Sequence, residues 1–467
     1  MRGVVVVALA ILAGTGAAPA ASAAGPRDPS LRLVSPRSFQ VFQRDADGDG
    51  DILVEGRAVG LGRRLEVRWG IEPWAPFACR RDGAFELRLG ARPAGQATLQ
   101  VRSVARHDVV VRRGYVGVGD IYVVAGQSNA SGRGSAPTSY SHPVLRAALF
   151  GNDDRWRDLS DPVDAAVGQV DRVSSDPRAG GSVWPLLATE LTVAEGVPVA
   201  FVPCAKGTTS VGEWAEDAAT PHSRGTLYGS MLRRVRAVGG RVRAVLFWQG
   251  EADARAFTSK QAYAAALREL AAAVAHDFGA PLVAAQLGDY DVRRFSPEGV
   301  DAIRLAQQEA WRAGWALPGP ALYDIDLHGR VHFTGRDDLL VAARRWAAAI
   351  LVAVLHRDLP SGPRLKNARY DGGMTVTLRF DCGGASLRPG QVGGLRLRAA
   401  GDPVQVADAV TSADTVTMLL AVPPRRPLTV SLGSGRDAAG RPVPAEGSPW
   451  ALPAQVFVNA PVTTSAE

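Results

Sequence analysis

A chain of 467 residues with 46% hydrophobic and 21% charged residues has globular composition and exceeds one compact domain. Its net charge of +7 comes mostly from arginines scattered without a run, and no aromatic-basic motif accompanies them, so the usual nucleic-acid-binding patterns are excluded. Three distant cysteines, Cys79, Cys204 and Cys382, exclude a disulfide framework and a Cys/His zinc site.

Residues 1–23 read as an export signal. Arg2 precedes the apolar run VVVVALAILAG, and Ala21-Ser22-Ala23 offers a small-residue cleavage site. The mature protein is therefore expected to be secreted. The run is too short to span a bilayer, and no later stretch approaches the ~20 apolar residues required.

Residues 30–115 carry short β-rich runs: ILVEGRAV, RLEVRW, AFELRL, ATLQVRSV and HDVVVRRGYV. Gly, Pro and Arg-Asp-Gly turns between them predict a small β-sandwich. Inside this region, Asp45, Asp47, Asp49 and Gly50 match the first half of a calcium loop. The twelfth position is Gly56, and Glu55 falls one residue early. An acidic hairpin between strands is the alternative reading of Asp45–Asp51.

Over residues 116–358 the pattern changes. DIYVVA, VPVAFVP, RAVLFW, PLVAAQL and ALYDIDL read as buried strands. Helical patterns alternate with them. VWPLLATELTVAEG ends at Gly196, a C-cap; a second helix opens on the capping box Thr258-x-x-Gln261; a third covers VDAIRLAQQEAWRAG; a fourth comes after Thr334. This alternation predicts a parallel sheet covered on both faces. Over residues 360–467 alternating runs such as MTVTLRF and LTVSLG predict a second small β domain.

Ligands of open α/β sheets bind beyond the carboxyl ends of the strands. There this chain places Gly126-Gln127-Ser128-Asn129, then Cys204 to Thr209, then Gln249 to Asp253, then His328 to Thr334. Serine, histidine, a carboxylate and amide donors are the inventory of acyl transfer. The hydroxyl needs a base, the imidazole needs orienting, and the oxyanion needs N–H groups. Ser128 is a candidate nucleophile or a helix N-cap. His332 is the candidate base, with His328 competing in the same loop. Gly207 lets a backbone N–H approach closely or simply forms a turn. Gln249 offers an amide. Trp156 and Trp214 are candidate sugar platforms or core residues. The irregular segment between Ser131 and Val183 is a candidate rim of the substrate site.

The stretches VGDIYVVAGQSNASGRG, AKGTTSVGEW, FWQGEADA and HFTGRD resemble the sequence blocks of the sialate O-acetylesterase family, which includes acetylxylan esterases, within the SGNH-hydrolase superfamily. The likeness runs from about Gly117 to about Ala348. It implies a flavodoxin-like three-layer α/β domain, here flanked by two small β-sandwich-like domains. It also implies cofactor-free, metal-free hydrolysis of acetyl esters on a sugar or polysaccharide through an acyl-enzyme. By the resemblance, Ser128 is the nucleophile, His332 the base, and Ser128, Gly207 and Gln249 the oxyanion donors. Many superfamily members carry their acid three residues before the histidine, where this chain has Gly329. Some members of the family use the glutamate of the WQGE block instead, so the resemblance implies Glu251 as the acid, with Asp326 as fallback. A polysaccharide acetyl esterase and a non-catalytic glycan-binding protein on a hydrolase scaffold are the competing readings.

Overall fold

Seven strands lead into the one that organises the molecule: β1 (Ser30–Ser35), β2 (Val41–Gln43), β3 (Asp49–Val59), β4 (Arg64–Trp69), β5 (Ala75–Ala78), β6 (Ala84–Pro93) and β7 (Gly95–Ser103). The computed structural model describes residues 28–174, 176–214, 225–359, 362–434 and 452–464. The expected export signal, residues 1–23, lies outside them. β1, β3 and β6 form an antiparallel sheet. Side chains alternate across a strand, so Leu31, Leu33, Ile52, Val54 and Phe85 point to one side. There they meet Leu65, Val67, Leu99 and Val101 of β4 and β7. The acidic stretch is a turn between β2 and β3, which lie in different sheets rather than forming the expected hairpin; Asp45 Oδ1 accepts the N–H groups of Asp47 and Asp49 at 3.0 Å each.

The next strand, β8 (Val110–Gly126), is 17 residues long. Its first half pairs with β7, and its second half enters the central sheet. The expected break between residues 115 and 116 therefore falls inside one strand. What changes there is burial: the run is half-exposed up to Tyr115 and buried from Val116 onward.

The central sheet continues with β9 (Ala148–Phe150), β10 (Trp156–Asp158), β11 (Val199–Pro203), β12 (Ala244–Trp248), β13 (Leu282–Gln286) and β14 (Leu317–Ala321). The order is β10-β9-β11-β8-β12-β13-β14, parallel apart from β10. Every residue of β11, β12 and β13 is buried, as strands covered on both faces require. The helices are α1 (Ser128–Ser131), α2 (Trp184–Glu195), α3 (Leu227–Ala237), α4 (Glu251–Arg255), α5 (Lys260–Phe278), α6 (Pro297–Arg312) and α7 (Arg336–Ala353). α3, α5 and α6 pack against Ile121, Val123, Val245 and Phe247. α2 and α7 cover the opposite face through Tyr122, Val124, Leu246 and Trp248.

Several element ends differ from the sequence reading. α2 does stop at Gly196, which is left-handed at φ 67°. α5 is capped by Ser259, whose Oγ accepts the Ala262 N–H at 3.2 Å, because the Thr258 hydroxyl instead donates to Asp253 at 3.0 Å. α7 is preceded by Gly335 with no side-chain cap, while the Thr334 carbonyl accepts the Ser135 N–H. The last parallel strand ends at Ala321, before most of ALYDIDL; Leu322, Tyr323 and Leu327 are buried by packing rather than by a ladder.

The remaining described strands, from Arg364–Tyr370 to Phe457–Thr464, form a nine-stranded sheet with its own core. It docks on the central unit through backbone carbonyls. Arg304 Nη1 donates to Gly433 O at 2.7 Å, Gln308 Nε2 to Val456 O at 2.7 Å, and Tyr323 OH to Ala454 O at 2.6 Å. No described helix is long and apolar enough to cross a membrane. At the N-terminal junction, buried Asp120 of β8 meets Arg44 and Arg243, each at 2.8 Å. Asp120→Ala removes the anion shared by the two guanidinium groups and leaves Arg44 only its longer contact to Glu195, at 3.3 Å. It is expected to destabilise the protein by about 3 kcal/mol, read as a lower urea midpoint.

Candidate active site

Gly126 ends β8 at φ 120°, and a Cβ there would lie 2.1 Å from the Trp248 carbonyl. Only glycine lets the chain turn this close to β12. The turn delivers Ser128 as the first residue of α1 rather than as its cap; the N-cap is Gln127. The Ser128 hydroxyl is free for another partner. His332 Nε2 lies 2.9 Å from Ser128 Oγ, across 204 residues of sequence. The pair opens into a cavity of about 460 Å³, also lined by Gln127, Arg178, Thr208, Glu251 and Phe295. The volume suits a small ligand.

Neither expected acid reaches the imidazole. Asp326 accepts the His328 N–H at 2.7 Å and lies 3.4 Å from His328 Nδ1, on an exposed part of the loop. Glu251 is buried and accepts from Asn129 Nδ2 at 2.6 Å. Asn129 in turn holds the backbone on both sides of His332. Its Nδ2 donates to Val331 O at 3.1 Å, and its Oδ1 accepts from Phe333 N at 3.3 Å. The residue after the serine thus clamps the histidine loop, and Glu251 braces the clamp.

Charge in the cavity is lopsided. Arg178, Arg255 and Arg294 line it, and none makes an ion pair among the described residues. Burial, followed by the nearby charges of Arg133, Arg178 and Arg294, pushes the His332 imidazole down to about 4. Burial pushes the Glu251 carboxyl up to about 7, and its Oε2 has no hydrogen-bond partner. At neutral pH the histidine is an uncharged potential base, and positive charge dominates the cavity.

The expected oxyanion donors divide. The N–H groups of Ser128 and Gly207 make no hydrogen bond to described residues. Gly207 is also closely packed: a Cβ there would meet Asp176 Oδ2 at 2.5 Å, so that carboxylate would have to shift. Gln249 is otherwise engaged. Its Nε2 donates to Thr209 O at 2.9 Å and Asp253 Oδ2 at 2.6 Å, and its Oε1 accepts from Tyr263 OH at 3.0 Å. This amide braces three segments beneath the cavity and keeps no proton for a substrate oxygen. Trp214 is likewise internal, donating to Thr209 Oγ1 at 3.0 Å. Trp156 packs against Phe150 and lines a different cavity beside β2 and β3. The Ser131–Val183 segment does reach the site, through Arg178 and through the Arg133–Asp176 ion pair beside Gly207.

Residues 118–317 match the family described as carbohydrate esterase, sialic acid-specific acetylesterase. Over this stretch the chain is similar to that esterase family. A probable carbohydrate esterase of Arabidopsis thaliana is 28% identical over 181 residues, 34% of this chain and 65% of the relative. The chain thus spans slightly less than two thirds of that relative's length. The crystal structure of a carbohydrate acetylesterase from Xanthomonas citri superposes with a TM-score of 0.59 at 21% identity, covering 92% of this chain and 99% of that one. That likeness is one of fold.

Sequence reasoning about this domain missed Gln127, Asn129, Thr208 and the three arginines. Thr208 had a local signal only in its neighbour Gly207, and it sits at φ 68°, a strained angle for a β-branched residue. Asn129→Ala should lower kcat about 10²-fold by loosening the His332 loop, whereas Asp326→Asn should leave turnover within about twofold. Glu251 has a folded pKa of about 7, above its ordinary 4.5. Between those values the folded chain holds a proton that the unfolded chain has lost, so this group's contribution to stability falls as pH rises. Glu251→Gln keeps the acceptor for Asn129 and removes the buried charge. Its stability in urea should match the parent at pH 4 and exceed it above pH 7, by up to about 3 kcal/mol.

Proposed function

We propose that the protein is a secreted serine esterase that removes O-acetyl groups from a carbohydrate bearing a negative charge, as sialic acid does. In this reading the sheet with its two helical layers is the three-layer SGNH-hydrolase arrangement, carrying a β domain on either side. The observation that supports catalysis is the 2.9 Å contact between Ser128 Oγ and His332 Nε2 inside a cavity. The observation that supports an anionic sugar is the set of three arginines lining that cavity, which have no ion pair among the described residues.

The reaction runs in two halves. Neutral His332 takes the Ser128 proton as Oγ attacks the acetyl carbonyl carbon. The carbonyl oxygen becomes an oxyanion, stabilised by the N–H groups of Ser128 and Gly207. The tetrahedral intermediate collapses, the bond to the sugar oxygen breaks, and His332 returns its proton to that oxygen. The free sugar departs, and acetyl remains on Ser128. Water then attacks the ester, with His332 as base again, and acetate leaves as Ser128 regains its proton. No carboxylate touches the imidazole in this scheme. The Asn129 clamp supplies its orientation, and Glu251 acts through Asn129.

Ser128→Ala should reduce acetate release from an O-acetylated sialic acid by about 10³-fold or more. Tight glycan binding by the parent with no acetate release would instead identify a binding protein. Arg178→Ala and Arg294→Ala together should raise KM for the acetylated sialic acid about tenfold, and leave p-nitrophenyl acetate within about twofold. Equal KM changes for charged and neutral sugars would argue for an uncharged polysaccharide. The lowered His332 basicity places the acid limb of kcat/KM near pH 4, with activity rising as the ring loses its proton and level at neutral pH.

A further inference from the structure

A second cavity, of about 490 Å³, is lined by the N-terminal sheet and the end of α3. One part of it is the outer face of β3. Side chains alternate along a strand. Ile52 and Val54 enter the N-terminal core, while Asp51, Leu53 and Glu55 point the other way and line the cavity. Arg88 of β6 stands directly opposite Leu53 in the ladder. Arg236 in the last turn of α3 and Arg241 just after it complete the charged lining, and half-buried Phe42 and Trp156 add aromatic surface. This cavity adjoins another of about 350 Å³, for Gln43 and Arg241 line both. The smaller one is lined by Arg243, Pro281 and Leu317, which stand just before or at the starts of β12, β13 and β14. The two form one groove at the amino ends of the parallel strands. Ser128 lies at the opposite edge, beyond the end of β8 at Gly126.

The chemistry of the lining selects a ligand. Arg37, Arg88, Arg236 and Arg241 are exposed and make no ion pair among the described residues. Of the carboxylates, Asp154 is neutralised by Arg233 at 2.6 Å, which leaves Asp51 and Glu55. Positive charge is in excess, yet both signs face the same space. Guanidinium groups fork onto carboxylates. Carboxylates accept from hydroxyls. The C–H face of a sugar ring packs on the negative face of an aromatic ring. A chain with hydroxyls throughout and carboxylates at intervals meets all three, and two adjoining cavities suit a chain better than a single ring. A nucleic acid, with a phosphate at every residue, would set like charge against Asp51 and Glu55. We propose that this groove is a second, non-catalytic saccharide site, which binds a uronate-bearing oligosaccharide at the sheet edge opposite Ser128. It would hold the protein on an acidic polymer without occupying the Ser128 cavity.

The test is titration calorimetry of the full chain with an oligogalacturonate that carries no acetyl groups, so binding is read without turnover. The host carries Arg178→Ala and Arg294→Ala, which removes two of the arginines of the Ser128 cavity from the measurement. The host should bind the oligogalacturonate, and more weakly as salt is raised, since the groove is open to solvent. Adding Arg88→Ala and Arg241→Ala should weaken binding about tenfold, the loss of two exposed ion pairs. Arg88→Lys and Arg241→Lys together keep the charge but lose the fork, and should fall between. In the otherwise unaltered chain, Arg88→Ala with Arg241→Ala should leave turnover of p-nitrophenyl acetate within about twofold. No binding by the host, or equal binding by the host with and without the arginine substitutions, overturns the proposal. Equal affinity for a neutral xylo-oligosaccharide overturns the acidic assignment. A duplex oligonucleotide that binds as tightly, and loses as much in the same variants, makes the groove a general polyanion site and overturns the saccharide assignment. No ester is cleaved in the titration. Activity surviving in Ser128→Ala would therefore remove the esterase reading alone, and a failed titration would remove this inference alone.

Discussion

The hydrogen bond between Ser128 and His332 joins two loops 204 residues apart, and the site exists only if both are held still. The serine side is fixed by a glycine that lets β8 turn tightly against β12. The histidine side lies in a loop with no ladder of its own. Asn129 solves this by gripping the backbone immediately before and after His332. One side chain next to Ser128 therefore sets where His332 sits. In the proposed reaction, this orientation through backbone takes the place of an imidazole–carboxylate contact.

That solution changes what the buried carboxyl does. Glu251 does not have to carry charge to steady an imidazolium; it has to accept one hydrogen bond from Asn129. A carboxyl that keeps its proton up to about pH 7 suits that task and its buried position. Meanwhile the cavity's fixed charge is positive, from arginines on three separate segments: the Ser131–Val183 segment, α4 and the loop before α6. Burial first, and then the charges of Arg133, Arg178 and Arg294, keep His332 neutral at rest. A substrate anion among them would oppose that field and make the imidazolium of the transition state easier to form.

The flanking sheets matter to the site through their attachments. Arg304 and Gln308 of α6 reach the C-terminal sheet, while Gln307 on the same helix donates to the Gln249 carbonyl at 2.9 Å. α6 therefore connects the docked sheet with the floor of the cavity. At the other end, Asp120 ties Arg44 of the N-terminal region to Arg243 before β12, beside the strand that delivers Ser128.

Much of this was legible in the sequence. The alternation of buried strands and helices over DIYVVA to PLVAAQL identified a covered parallel sheet, because strands buried on both faces become continuous apolar runs. The segments just beyond the strand ends then picked out Ser128, His332, Glu251 and Gly207, since chain direction alone puts those segments on one edge. Element ends were less visible. Thr258 and Thr334 have good capping side chains, but Asp253 takes the Thr258 hydroxyl, and the helix after Thr334 begins behind Gly335 with no side-chain cap. Likewise β8 looked like two strands because a burial change resembles a break. Side-chain roles were decided by tertiary structure alone. Gln249 carries an amide at the sheet edge, and composition cannot say that its protons are already held. The sequence determined which groups reach the sheet edge. Only the fold decided which of those groups remain unpaired there, because hydrogen-bond satisfaction depends on neighbours far away along the chain.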